Sequence, residues 1–229
     1  MAAKYAETIK GKVILVTGTS PDGLGEEFCL TVARHQPKLL ILAGRNVDKL
    51  HATGTKLANM YPDVSTRVVE LDLESISNAA KAAAEVNAWE DLPAIDLVVN
   101  NAAIMAVDFA LTKDGFEKQL AVNYLAPWVF TNSIMPKVLA SEKPRIVFVS
   151  SSGHRWGPVR WHDHNFQVRV EYKHHPKSSI ADVGPRMATF TTNGRPTVSQ
   201  RLLSSCTRSL WPRGWGPKSR SSVSIPVLS

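Results

Sequence analysis

Residues 13–25 read VILVTGTSPDGLG: a five-residue apolar run leads straight into a turn containing three glycines. A strand buried on both faces appears in sequence as a continuous aliphatic run, and residues 13–17 have that form. Residues 23–35 carry apolar side chains at helical spacing, with Leu24, Phe28, Val32 and Ala33 expected on one inward face. Residues 39–43 (LLILA) form a second predicted buried strand. Residues 13–45 are therefore predicted as a strand–turn–helix–strand unit with parallel strands.

The same rhythm continues outward. Residues 46–60 are predicted as a helix with Leu50 and Leu57 inward, followed by a strand at 66–71 and an alanine-rich helix at 74–88. Strands follow at 95–100 and 145–150, separated by a long helical pattern over 114–139. Strands and helices that alternate at this spacing imply an α/β fold, a Rossmann-type doubly wound parallel sheet, here expected to stop after about the fifth strand. Beyond Asn165 the periodicity ends. The expected organisation is a dinucleotide-binding domain over 1–167 and an irregular, non-homologous segment over 168–229.

Composition narrows the function classes. With 229 residues and 44% hydrophobic content, the chain has enough apolar material for one real core. Nothing in it is long and apolar enough to be a membrane span, and MAAKYAETIKGK lacks a signal-peptide core, so the cytoplasm is the expected setting. Cys29 and Cys206 have no paired spacing, which fits a reducing compartment; Cys29 is expected in the core. The net charge of +7 is confined to the C-terminal segment: residues 1–185 hold 20 acidic and 20 basic side chains, and 186–229 hold seven basic and none acidic. That segment has no compact basic motif, so no nucleic-acid partner is expected. His162, His164, His174 and His175 match no zinc spacing, and no metal site is expected.

A pyrophosphate needs unhindered amide N–H groups at a helix N-terminus. Gly18, Ser20, Gly23, Leu24 and Gly25 supply that arrangement between a buried strand and an amphipathic helix. An acid at the end of the second strand would suit a ribose 2′-hydroxyl, whereas an arginine accommodates a 2′-phosphate. Arg45 stands at that place, so NADP(H) is the expected cofactor. Asp72 can meet the adenine edge or cap the helix after it, and both readings stay open. Asn100, Asn101 and Ala102 follow the fourth strand, where small residues allow close passage of a ligand and asparagines can tie strands together.

These residues resemble the short-chain dehydrogenases/reductases, most nearly the retinol-dehydrogenase-like branch and its fungal relatives. TGTSPDGLG, Asn100-Asn101-Ala102-Ala103, Asn123 within LAVNYLAP, and RIVFVSSSGH at 145–154 fall in the family's order, over about residues 8–167. The glycine turn has one residue more than usual, at Asp22, and Ala103 replaces a customary glycine. The resemblance implies an NADP(H)-dependent oxidoreductase acting on a small carbonyl or secondary alcohol, often as a homo-oligomer. It implies that Ser151 holds the substrate oxygen and that Asn123 supports a proton-relay water.

One family feature is missing. A tyrosine, its pKa lowered by a lysine four residues later, handles the proton in such enzymes. Tyr5, Tyr61, Tyr124 and Tyr172 are followed four residues on by Ile9, Ser65, Trp128 and Pro176. The alternative expectation is thus a non-catalytic cofactor binder or a non-functional truncated product. Codon degeneracy offers an origin for the gap. Read one frame over, residues 190–203 permit Tyr-Asp-Lys-Trp-Lys-Ala-Tyr-Gly-Gln-Ser-Lys-Thr-Ala, and residues 221–229 permit a Pro-Gly turn. Residues 168–185 can encode intron-like boundary signals. Sequencing the transcript across codons 165–190 is expected to reveal a spliced message lacking residues 168–185; genomic DNA without those boundary signals would refute the retained-intron origin.

Overall fold

The computed structural model describes residues 6–151 and 161–166. A short helix, α1 (Ala6–Ile9), precedes the first strand, β1 (Val13–Thr17). The chain then alternates through α2 (Leu24–Ala33), β2 (Leu39–Gly44), α3 (Val47–Met60), β3 (Ser65–Glu70), α4 (Ile76–Ala88) and β4 (Leu97–Asn100). A three-residue helix, α5 (Lys118–Leu120), runs into a π-turn at Ala121–Leu125, then α6 (Ala126–Ser133), α7 (Met135–Leu139) and β5 (Arg145–Phe148). The described strands form one parallel sheet in the order β3-β2-β1-β4-β5.

Alternation along each strand divides the core in two. Leu15, Ile41, Val69 and Val98 face one layer, where Ala79, Ala82, Ala83 and Val86 of α4 meet Phe130 of α6. Ile14, Val16, Leu40, Leu42 and Val99 face the other, against Cys29 and Leu30 of α2 and Leu50 and Leu57 of α3. β1 is buried along its whole length because it lies in the middle of the sheet with helices on both sides. The expected α/β doubly wound sheet is what forms. Among the described residues, no helix is long and apolar enough to cross a membrane.

Two local expectations are corrected. Leu24 does not face inward: it is 78% exposed, while Glu26, Cys29, Leu30 and Ala33 make the buried stripe of α2. The helix begins at Leu24, so its first residue projects over the turn rather than onto the sheet. The 114–139 pattern is also not one helix. Gly115, with φ +80°, instead closes a small turn bridged by Leu111 and Glu117. Helix begins only at Lys118, where the Glu117 carboxylate accepts from the N–H groups of Gln119 and Leu120. It breaks again at Ile134, ahead of Pro136, whose ring cannot extend a preceding turn. The segment beyond residue 167, including His174, His175 and Cys206, lies outside the described residues.

Phe130 is fully buried where α6 meets α4 and the sheet. Phe130→Ala is expected to cost about 3–5 kcal/mol in urea denaturation. A loss under about 1 kcal/mol would show that this layer repacks freely.

Candidate functional site

The parallel order reverses direction between β1 and β4, so the connections from their carboxyl ends leave towards opposite sides and open a crevice. Its floor is set by hydrogen bonds. Thr17 Oγ1 accepts from the N–H groups of Asn101 (3.0 Å) and Ala102 (2.9 Å). Asn101 Nδ2 donates back to the carbonyls of Thr17 (3.0 Å) and Gly18 (3.2 Å). Asn101 therefore ties the β4 end to the glycine turn, the strand-tying role open to it in the sequence.

That close approach explains two of the glycines. Gly18 has φ +73°, and a Cβ there would lie 2.8 Å from Ala102 Cα. A Cβ on Gly25 would lie 2.3 Å from the Gly18 carbonyl oxygen and 2.8 Å from Asn101 Nδ2. Both positions are closed by the protein's own backbone. Gly23 differs, since a Cβ there would meet only the Ser20 carbonyl, at 3.1 Å. It stands at the N-terminus of α2, which no side chain caps. Unsatisfied amides, bare backbone and the positive end of a ten-residue helix suit an anion.

The extra residue of the turn is absorbed at Asp22, whose φ is +59°. Its N–H donates to Glu26 Oε2 at 3.0 Å. Glu26 is only 3% exposed and also takes the Lys56 ammonium at 2.9 Å. Thr53 donates to the Thr19 carbonyl at 2.8 Å and reaches Glu26 Oε1 at 3.4 Å. Burial alone would raise the Glu26 carboxyl, but the bonds from Lys56, Asp22 and Thr53 and the Lys56 charge outweigh it and hold the group below its ordinary value. Glu26 was missed in sequence. Its signal was there, for Glu26, Cys29, Leu30 and Ala33 follow i, i+3, i+4, i+7.

Arg45 and Asp72 lie together on the β1 side of the crevice, past the ends of β2 and β3, because Leu71 N–H donates to the Gly44 carbonyl at 2.9 Å and holds the β3 end beside the β2 end. Arg45 Nη1 contacts Glu74 Oε1 at 2.6 Å. Asp72 Oδ1 accepts from the Glu74 N–H at 3.0 Å, while Ser75 caps α4 itself by accepting from Asn78 N–H. Asp72 thus fixes the turn ahead of the helix.

At the carboxyl ends of β4 and β5, a small cleft is lined by Asn100, Ala102, Asn123 and Phe148 among others. Asn100 Nδ2 donates to Thr131 Oγ1 at 3.0 Å, whereas its Oδ1 is buried with no partner among the described residues. Asn123 sits within the π-turn, and its amide bridges both backbone groups of Ile104 at 2.8 Å. That places Asn123 as a brace of the cleft wall. Ser151 follows β5 and is half-buried. Cys29 is fully buried, and burial followed by the Glu26 charge pushes its thiol up to about 12, so it is inert core. Among the described residues no three His, Cys, Asp or Glu side chains group as metal ligands.

Residues 12–161 match the family model described as short chain dehydrogenase. The chain is similar to oxidoreductase fscI of Fusarium equiseti, 32% identical over 72% of this chain and 66% of that protein. It is similar to human retinol dehydrogenase 13, 31% identical over 86% of this chain and 56% of that one. The chain thus spans about half to two thirds of the length of the curated relatives it matches. Among solved structures, a short chain dehydrogenase from Escherichia coli CFT073 in complex with NADPH matches with a TM-score of 0.55 at 27% identity, over 70% of this chain and 67% of that one.

The lowered Glu26 group stabilises the fold above its ordinary value of 4.5, and that contribution disappears as pH falls through the lowered value. Glu26→Gln is expected to cost about 1.5–3 kcal/mol at neutral pH, with the gap from the parent closing below pH 4.5 in denaturant titrations. A gap independent of pH would contradict the ionised role of Glu26.

Proposed function

The chain belongs to the short chain dehydrogenase family, and from that premise we propose that it binds NADP(H) and that the active product of its gene serves hydride transfer between the nicotinamide and a small carbonyl or secondary alcohol. The observation that carries the cofactor reading is Arg45 at the end of β2, beside the uncapped α2 turn. NADPH in the E. coli CFT073 relative and NADP in a Shigella flexneri relative support it.

In this reading the backbone of Gly18, Ser20, Gly23, Leu24 and Gly25 holds the pyrophosphate, and Arg45 takes the 2′-phosphate. Asp72 lies by the adenosine end. Asn100, Asn101 and Ala102 form the crevice wall, and the orphaned Asn100 Oδ1 offers an acceptor there. The bound cofactor supplies or receives the hydride. Ser151 is assigned to hold the substrate oxygen by a hydrogen bond, with Asn123 as a positioning residue that keeps the Ile104 backbone in place.

A proton must also move at the substrate oxygen, and general acid–base groups contribute roughly 10²–10⁴-fold. The sequence contains no tyrosine with a lysine four residues on. We therefore assign this 229-residue chain cofactor binding with little turnover, and assign the Tyr-Gly-Gln-Ser-Lys of the shifted frame to the active product of the gene.

The test compares the purified 229-residue chain with the product of the spliced, shifted-frame message. Both are expected to bind NADPH, and only the second to oxidise it with a carbonyl panel, by a margin of at least about 10²-fold. Equal turnover by the two proteins would overturn the assignment.

A further inference from the structure

Glu74 is placed where an anion-binding site would ordinarily exclude an acid. Its Oε1 contacts Arg45 Nη1 at 2.6 Å and Lys118 Nζ at 3.0 Å, so one carboxylate oxygen serves two cations from separate elements. Its backbone is fixed: the Glu74 N–H is held by Asp72 Oδ1 at 3.0 Å, and two residues on Ile76 N–H is held by Asp114 Oδ2 at 2.8 Å. Arg45 is the loose member, with its side chain 68% exposed, against 31% for Glu74 and 30% for Lys118.

The arginine fork cannot give its best bidentate geometry to a phosphate and a carboxylate at once. We propose that Glu74 is a specificity-determining counter-ion: it holds Arg45 in the free protein and surrenders it only to a ligand bearing a phosphate on the adenosine ribose. This inference rests on the NADP(H) reading above. Lys118 makes the exchange feasible, because it keeps Glu74 paired after Arg45 turns to the phosphate. A ligand with a plain ribose hydroxyl lacks the charge to displace the carboxylate, and Glu74 itself can accept from that hydroxyl.

Glu74 therefore opposes NADP⁺ binding, and Lys118 relieves that opposition. The two effects are coupled, which a double-mutant cycle reads directly.

The test is calorimetric titration of NADP⁺ and NAD⁺ into the full 229-residue chain and its variants. Glu74→Gln is expected to tighten NADP⁺ by about two- to fivefold, the range of a half-exposed ion pair, without tightening NAD⁺. Lys118→Met is expected to weaken NADP⁺ by a similar factor when Glu74 is present and to change nothing in the Glu74→Gln background. If the parent chain prefers NADP⁺ and Glu74→Gln leaves that preference unchanged, the inference fails alone. If Lys118→Met weakens NADP⁺ equally in both backgrounds, Lys118 touches the phosphate itself and the exchange is wrong. A parent chain that binds NAD⁺ as tightly as NADP⁺ overturns the cofactor reading beneath it.

Discussion

The Thr17 hydroxyl is the point on which the rest of the architecture closes. By accepting two backbone N–H groups from the end of β4, it draws Ala102 so near Gly18 that a side chain at residue 18 has no room. Asn101 locks the same junction from the opposite side. α2 must then start immediately after the turn, and no side chain caps its N-terminus. The proposed anion site rests on hydrogen bonds between two strand ends, with no cationic side chain needed to create it.

Much of this was legible in sequence because it depends on short-range pattern. VILVT and LLILA could hardly be anything but strands covered on both faces, and the glycines between them announced a tight strand-to-helix turn. The less legible parts depend on contacts distant in sequence. The local spacing puts Glu26 on the buried stripe of α2, but what lets an acid lie there is Lys56, a partner 30 residues away. The misplaced Leu24 shows the same limit: its spacing fits the apolar stripe, but the helix begins there and its side chain clears the sheet. The 114–139 segment misled for another reason. Its apolar residues keep helical spacing across a tight turn at Gly115, a π-turn at Asn123 and a break before Pro136, so periodicity persists although the helix does not.

Two acids near the crevice are each paired with cations. Glu26 lies beneath the turn, where the Lys56 ammonium balances its charge and the Asp22 N–H donates to it. Glu74 lies at the rim, balanced by two cations. The inner acid fixes the shape of the turn, and the outer one sets which ligand can recruit Arg45. The inner acid is rigid and the outer one exchangeable because burial differs: 4% against 31% side-chain exposure.

We propose that the crevice between β1 and β4 receives a 2′-phosphorylated nicotinamide dinucleotide. A crystal structure of this chain grown with NADPH tests it most directly. The pyrophosphate is expected against the amides at the start of α2 and the 2′-phosphate on the Arg45 fork, with Arg45 withdrawn from Glu74 and Lys118 still beside Glu74. A dinucleotide bound elsewhere, or one in the crevice with Arg45 still on Glu74, would contradict it.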